Sequence, residues 1–207
     1  MGSLALITLL GFVVNFSYIH AFIKLKQANL ALGRGETELA YQHVQGAIVL
    51  VPNSKDLELI APMYQGIMLM SKGDSQGALE PFRRFAKNFP QDEGARRFLL
   101  EAQAGAYFDQ HNYPGFFQAS QELARLYPED PFMLMQESSA AACMYAVTSM
   151  EVYKKLSLLF LAEAHKRLRA DDENARVYEA RINHRLNTRE IISSREFEER
   201  FGHGEAK

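Results

Sequence analysis

The sequence predicts an all-α fold, a solenoid of helix-turn-helix units entered through an apolar N-terminal helix. Three observations carry this expectation. Pro52, Pro90 and Pro128 lie 38 residues apart. Gln27, Gln65 and Gln103 keep the same interval, and so do the small residues Ala28, Gly66 and Ala104. Residues 4–23, LALITLLGFVVNFSYIHAFI, hold no charge. A period between about 20 and 50 residues marks an array in which each unit buries its apolar face only against its neighbours. Function is then expected in the surface the array creates.

The first element is the uncharged run. Twenty residues of helix span about 30 Å, the thickness of a bilayer's hydrocarbon core. The run is apolar all round, which excludes a one-sided amphipathic anchor. It reads as a transmembrane helix. A buried helix that caps or fills the solenoid, and a cleaved signal peptide, are the other readings. The last lacks a basic n-region and a small-x-small cleavage site. Asn15 and His20 are polar and would suit a partner helix, although His20 suits the membrane interface equally. Lys24, Lys26 and Arg34 follow the run and no basic residue precedes it, which places the repeats in the cytoplasm. Gly2 with Leu6 misses the myristoylation pattern. Lys24 to Leu32 already belong to the first repeat, so the two helices are expected to be continuous.

Within each unit the offsets have physical readings. The small residue lets two helices approach closely. Gly35 and Gly73 end the first helix in the left-handed conformation that glycine adopts cheaply. Glu36 and Asp74 suit the positive start of the second helix. Ala40 and Ala78 are a second close-packing position. Proline stops the second helix after Leu50-Val51, Asn88-Phe89 and Leu126-Tyr127. Pro62 and Pro81 fall within helices and are expected to start or kink them.

The stretches LALGRGETELAYQHVQGAIVLVPNS and MLMSKGDSQGALEPFRRFAKNFPQD resemble the tetratricopeptide repeat family over roughly residues 21–128. The third copy, YFDQHNYPGFFQASQELARLYPED, keeps Ala104 and the proline but has His111 for the glycine and Phe116 for the second small residue. The family period is about 34. The distance from small residue to proline is 24 in all three copies (52 − 28, 90 − 66, 128 − 104), so the extra four residues lie after the proline, as an added helical turn or a longer linker. The resemblance implies a concave face lined by Phe22, Leu25, Asn29 and Leu32; Ile60, Met63, Ile67 and Met70; and Phe98, Glu101, Gly105 and Phe108. The subfamily that holds C-terminal carboxylates needs Lys with Asn or Arg there, and only Asn29 fits. The face is apolar and Met-rich instead, suited to a helix or an extended hydrophobic peptide. Met63, Ile67, Met70, Phe98, Glu101 and Phe108 are the candidate partner-binding residues. The alternative is that the chain's own C-terminal helix fills the groove. The three glutamines are read either as a polar ladder between repeats or as a surface row.

Beyond Pro128, Asp130-Pro131 starts a helix to about Val147. Thr148-Ser149 breaks it, and MEVYKKLSLLFLAEAHKRLRA forms its partner, a diverged fourth unit. Residues 172–186 read as a further helix. Ser193 with Glu196 is a capping-box candidate for a last short helix ending before Gly202, and Gly202 to Lys207 should fray. The expected organisation is an N-terminal span over 1–23, repeats over 24–172 and capping helices over 173–207.

A net charge of −2 lacks the footprint of a nucleic-acid binder. Arg83-Arg84 and Lys166-Arg167-Leu168-Arg169 read as solvated helix faces. The single cysteine, Cys143, excludes an internal disulfide and a cysteine metal cluster. Six histidines are scattered, and Glu163 and His165 are two apart on different helix faces. No catalytic, cofactor or metal set emerges, so no enzyme is expected. The two functional expectations are a membrane-tethered interaction scaffold and, alternatively, a permanent accessory subunit of a larger membrane complex.

Overall fold

The computed structural model describes residues 2–168 and 172–201, with the side chains of residues 2–15 and of Ser194 outside that description. Among the described residues the elements are ten helices and no strand. They are α1 (Gly2–Gly33), α2 (Thr37–Leu50), α3 (Lys55–Ser71), α4 (Ser75–Asn88) and α5 (Glu93–Asp109), followed by α6 (Tyr113–Leu126), α7 (Pro131–Thr148), α8 (Glu151–His165), α9 (Glu173–Thr188) and α10 (Ser194–Phe201). The chain is a helical repeat: α2, α4, α6 and α8 begin at 37, 75, 113 and 151, each 38 after the last.

The helix lengths differ within a unit. α2, α4 and α6 each have 14 residues, whereas α3 and α5 have 17 and α7 has 18. α3, α5 and α7 each start three residues after the proline. α3 and α5 are thus three residues longer than α4 and α6, which follow them.

The turns between paired helices repeat one device. Gly35, Gly73, His111 and Ser149, again 38 apart, have φ of +76°, +77°, +56° and +61°. In the first three, the next amide bonds back five residues: Glu36 N to the Ala31 carbonyl, Asp74 N to Leu69 and Asn112 N to Tyr107, at 2.8–2.9 Å. This is the Schellman closure, which satisfies carbonyls a helix end leaves open. Histidine takes the glycine's place in the third unit. Ser149 does so in the fourth, with its amide on the Tyr145 carbonyl at 2.8 Å. Asp74 and Asn112 then cap the following helices by accepting from Gly77 N and Gly115 N. Glu36 occupies the same place without a side-chain bond. Asp130 and Asp172 cap α7 and α9, and Ser193 accepts from Glu196 N ahead of α10. α3 and α4 continue through Pro62 and Pro81, whose rings are buried. Packing of the rings offsets the backbone bond each proline removes.

The chain divides into two compact units, Met1–Ala102 and Gln103–Lys207, with the division inside α5. In the first unit, Ala28, Ala31, Ala40, Val44 and Tyr64 form a core cluster. Ala21, Ala47, Val51 and Leu57 form another. Gly66 of α3 is small for a visible reason. A Cβ there would lie 2.5–2.7 Å from three ring carbons of Phe82.

In the second unit α7 is the central element, buried along Met133–Met135 and Glu137–Tyr145. Its run Ser138-Ser139-Ala140-Ala141-Ala142-Cys143 is short-chained, which lets α6, α8 and α9 all pack on it closely. Ser138 donates to the Ser157 carbonyl at 2.8 Å, tying α7 to α8.

No helix among the described residues is long and apolar enough to cross a membrane. The side chains of most of the expected span, 4–15, and the expected fraying of 202–207, lie outside the described residues.

Candidate protein-interaction surface

The residues proposed to line the groove fall in both units. In the first, Met63, Ile67 and Met70 follow one another along α3 and are each half-buried. Met63 packs with Ile60, Leu25 and Leu32 against the Ala28–Val44–Tyr64 cluster, so part of its surface belongs to the core. Asn29 accepts a 2.6 Å bond from the Tyr64 hydroxyl. Burial pushes that phenol above its usual range. Phe98 lies flat on Phe82, rings 5.3 Å apart and 12° from parallel. Glu101 is held by Arg97 Nε at 2.8 Å on the same helix. The arrangement pairs a rigid aromatic stack with flexible thioethers, and Arg97 and Glu101 of α5 are paired with each other. Among the described residues no hydrogen bond joins Gln27, Gln65 and Gln103, and Gln27 is exposed.

In the second unit Phe108 is half-buried against other parts of the chain. Its ring meets Phe116 edge-on at 5.5 Å, and the Arg185 guanidinium of α9 lies over it at 5.2 Å. Arg185 is only 5 % exposed. It donates to Ser139 Oγ and, at 3.3 Å, to the Ile192 carbonyl. No carboxylate pairs with it among the described residues, and its Nε has no partner. Two further arginines, four residues either side, sit on aromatic rings: Arg181 of α9 over Tyr178 at 4.5 Å, and Arg189, which caps the end of α9, over Tyr145 at 5.0 Å. Arg189 also donates to Ser149 Oγ at 2.8 Å, joining the two left-handed helix ends of α7 and α9. A cation at the C-terminus of α7 complements the negative end of its dipole. One arginine of α9 thus packs on the half-buried Phe108 ring of its own unit. The stripe Arg181, Arg185, Arg189 was present in the sequence at i, i+4, i+8 and carried the signal.

Glu137 is the other buried charge. It is 7 % exposed on α7 and has no ion-pair partner among the described residues. Desolvation pushes its pKa up to about 7. Cys143 is fully buried, and burial raises its thiol. Lys166 and Arg167 are both paired with Glu163, at 2.7 and 3.1 Å. His165 and His184 face Glu179 and Glu190, each at 3.2 Å. Among the described residues no three His, Cys, Asp or Glu side chains gather as a metal site would require.

Compared with family models, with curated proteins and with solved structures, the chain matches none.

Proposed function

We propose that this chain is a membrane-tethered scaffold of the tetratricopeptide-repeat kind, which captures a hydrophobic or helical protein segment and has no catalytic, cofactor or nucleic-acid role. The observation that carries this reading is α1. It runs without a break from Gly2 to Gly33, so the uncharged stretch and the first repeat share one helix. Between residues 16 and 23, Phe16, Tyr18, Ile19, Phe22 and Ile23 stand exposed, and Ala21 is the one buried residue. An apolar surface all round a helix needs cover. On this reading residues 4–23 cross the bilayer and the repeats lie on the cytoplasmic side. The partner seat is Met63, Ile67, Met70 and Phe98. Phe108, half-buried with Arg185 over its ring, is the candidate in the second unit.

The accessory-subunit reading draws on polar groups inside the span. His20 weakens it: its Nδ1 bonds the Phe16 carbonyl at 2.9 Å, one turn back on the same helix, so it needs no second helix. Detergent pulldown separates the two, since a stoichiometric complex marks the subunit and a set of weaker clients marks the scaffold.

The tether is tested by high-pH carbonate extraction of the full chain; release into the supernatant ends it. The seat is tested by Met70→Glu, alone and with Met63→Glu, because a carboxylate under an apolar ligand has no counter-ion. Loss of capture at unchanged thermal stability supports the seat. Undiminished capture at unchanged stability moves it elsewhere. Met70→Glu is the cleaner variant, since Met63 also packs on the core.

A further inference from the structure

The two most exposed large apolar side chains among the described residues are Val49, at 78 %, and Phe22, at 70 %. They belong to one end of the first unit. Ala21 of α1 packs with Ala47 and Val51 of α2 and Leu57 of α3. The turn joining α2 to α3 therefore sits level with the last residues of the uncharged stretch. The stem of Lys24 fixes the same level, with its Cδ and Cε 3.7 Å from where a side chain on Gly46 would begin. At the end of α2 and in that turn, Val49, Leu50 and Pro52 are all exposed, while Val51 between them is buried. Core packing does not explain them, because Ala47, Val51 and Leu57 already supply it.

The charges around this apolar tip are ordered. Lys24 and Lys26 follow the apolar part of α1, and Lys55 begins α3. Asp56 and Glu58 share the first turn of α3, where the positive helix end offsets their charge. Apolar side chains at a tip, with Lys55 beside them and Lys24 and Lys26 further along α1, are arranged as at a bilayer's headgroup boundary, where lysines reach phosphates and aliphatic groups reach acyl chains.

We propose that the α2–α3 turn is a second lipid contact, in which Val49, Leu50 and Pro52 enter the headgroup boundary beside the spanning helix. The inference rests on the membrane reading of α1 and deepens it. One spanning helix leaves a domain free to rotate and tilt about it; a second contact fixes which side of the first unit faces the membrane. The occupant is lipid, because the tip continues the surface of the uncharged helix.

The test uses the full chain in bilayers of phosphatidylcholine and phosphatidylglycerol. Cys143→Ala removes the buried thiol, and one cysteine is introduced at Ile19, Val49 or Arg83 and labelled with an environment-sensitive fluorophore. The expected result is that the labels at 19 and 49 are quenched by brominated lipid and shielded from aqueous iodide, while the label at 83 shows the reverse. A label at 49 that behaves like the one at 83, with 19 in lipid, overturns the second contact and leaves the span standing. A label at 49 shielded from both quenchers places the tip against another copy of the chain and overturns the lipid assignment. A label at 19 open to iodide removes the span and this inference with it.

Discussion

Gly66→Ala is the sharpest probe of the packing. The new methyl would sit 2.5–2.7 Å from Cε1, Cζ and Cδ1 of Phe82, where carbon atoms ordinarily rest at about 3.5–4.0 Å. The ring has to retreat by roughly 1 Å, since that is the shortfall against an ordinary contact. It has no free direction, being 1 % exposed and stacked on Phe98. Overpacking of this kind destabilises by about 1–3 kcal/mol. Alanine returns about 1 kcal/mol in helix propensity. The single change should therefore lower stability by up to about 2 kcal/mol, with each kcal/mol worth roughly 2–4 °C in melting temperature at this chain length. The repeat supplies the rescue. Sixteen residues after each small position stand Val44, Phe82 and Ser120, and alanine accompanies the two smaller side chains, at Ala28 and Ala104. All are 0–1 % exposed. Phe82→Val alone should cost about 2–3 kcal/mol through a cavity. Combined with Gly66→Ala it should cost less, because the methyl fills part of that space. Urea melts of the four proteins give the coupling, expected at about 1–3 kcal/mol in the relieving direction. A coupling below about 0.5 kcal/mol would refute the idea that ring size sets the residue at 66.

Three further outcomes follow from single positions. His111→Gly should raise stability by about 1 kcal/mol, because a non-glycine residue at φ +56° is strained; an unchanged or lower urea midpoint would show that the His111–Tyr113 bond outweighs the strain. Glu137, with its folded pKa raised to about 7, holds its proton more tightly folded than unfolded. Its penalty is absent below the unfolded pKa of about 4.5, grows as pH rises, and is complete above about 7, reaching about 3 kcal/mol. Glu137→Gln should therefore be more stable than the parent at pH 8 and equal to it near pH 4, and melts that differ equally at both would exclude the titration. Ala40→Leu and Ala78→Leu, at two fully buried contacts, should each cost about 1–3 kcal/mol by thermal melt.

Much of the fold was legible because the repeat states it several times. Small residue, left-handed glycine, cap and proline recur at fixed offsets, and local chemistry dictates each. The fourth left-handed residue escaped because Ser149 lacks the glycine that advertises the conformation, although its place in the 38-residue register pointed to it. Pro62 and Pro81 lie inside α3 and α4, as their places in the repeat indicated, and the burial of their rings was not visible in the sequence. The groove was less legible. Helical spacing placed Met63, Ile67 and Met70 on one element, but could not tell that Met63 leans on the core or that Tyr64 takes Asn29. Phe108 was a candidate seat by register alone; its cover comes from Arg185, 77 residues on (185 − 108), a separation at which periodicity carries no information.

The arginines of α9 give one lock three keys. Arg181, Arg185 and Arg189 recur every four residues, so moving the helix about 6 Å along its axis, with a rotation of about 40°, would present another guanidinium to Ser139. A turn of this size is a step that packed elements use to switch between discrete arrangements. What selects the observed seat is the far end: Arg189 is left-handed, ends the helix, and is bonded to Ser149. The helix is thus held in position by a stop at its terminus, beyond the arginine that its middle buries.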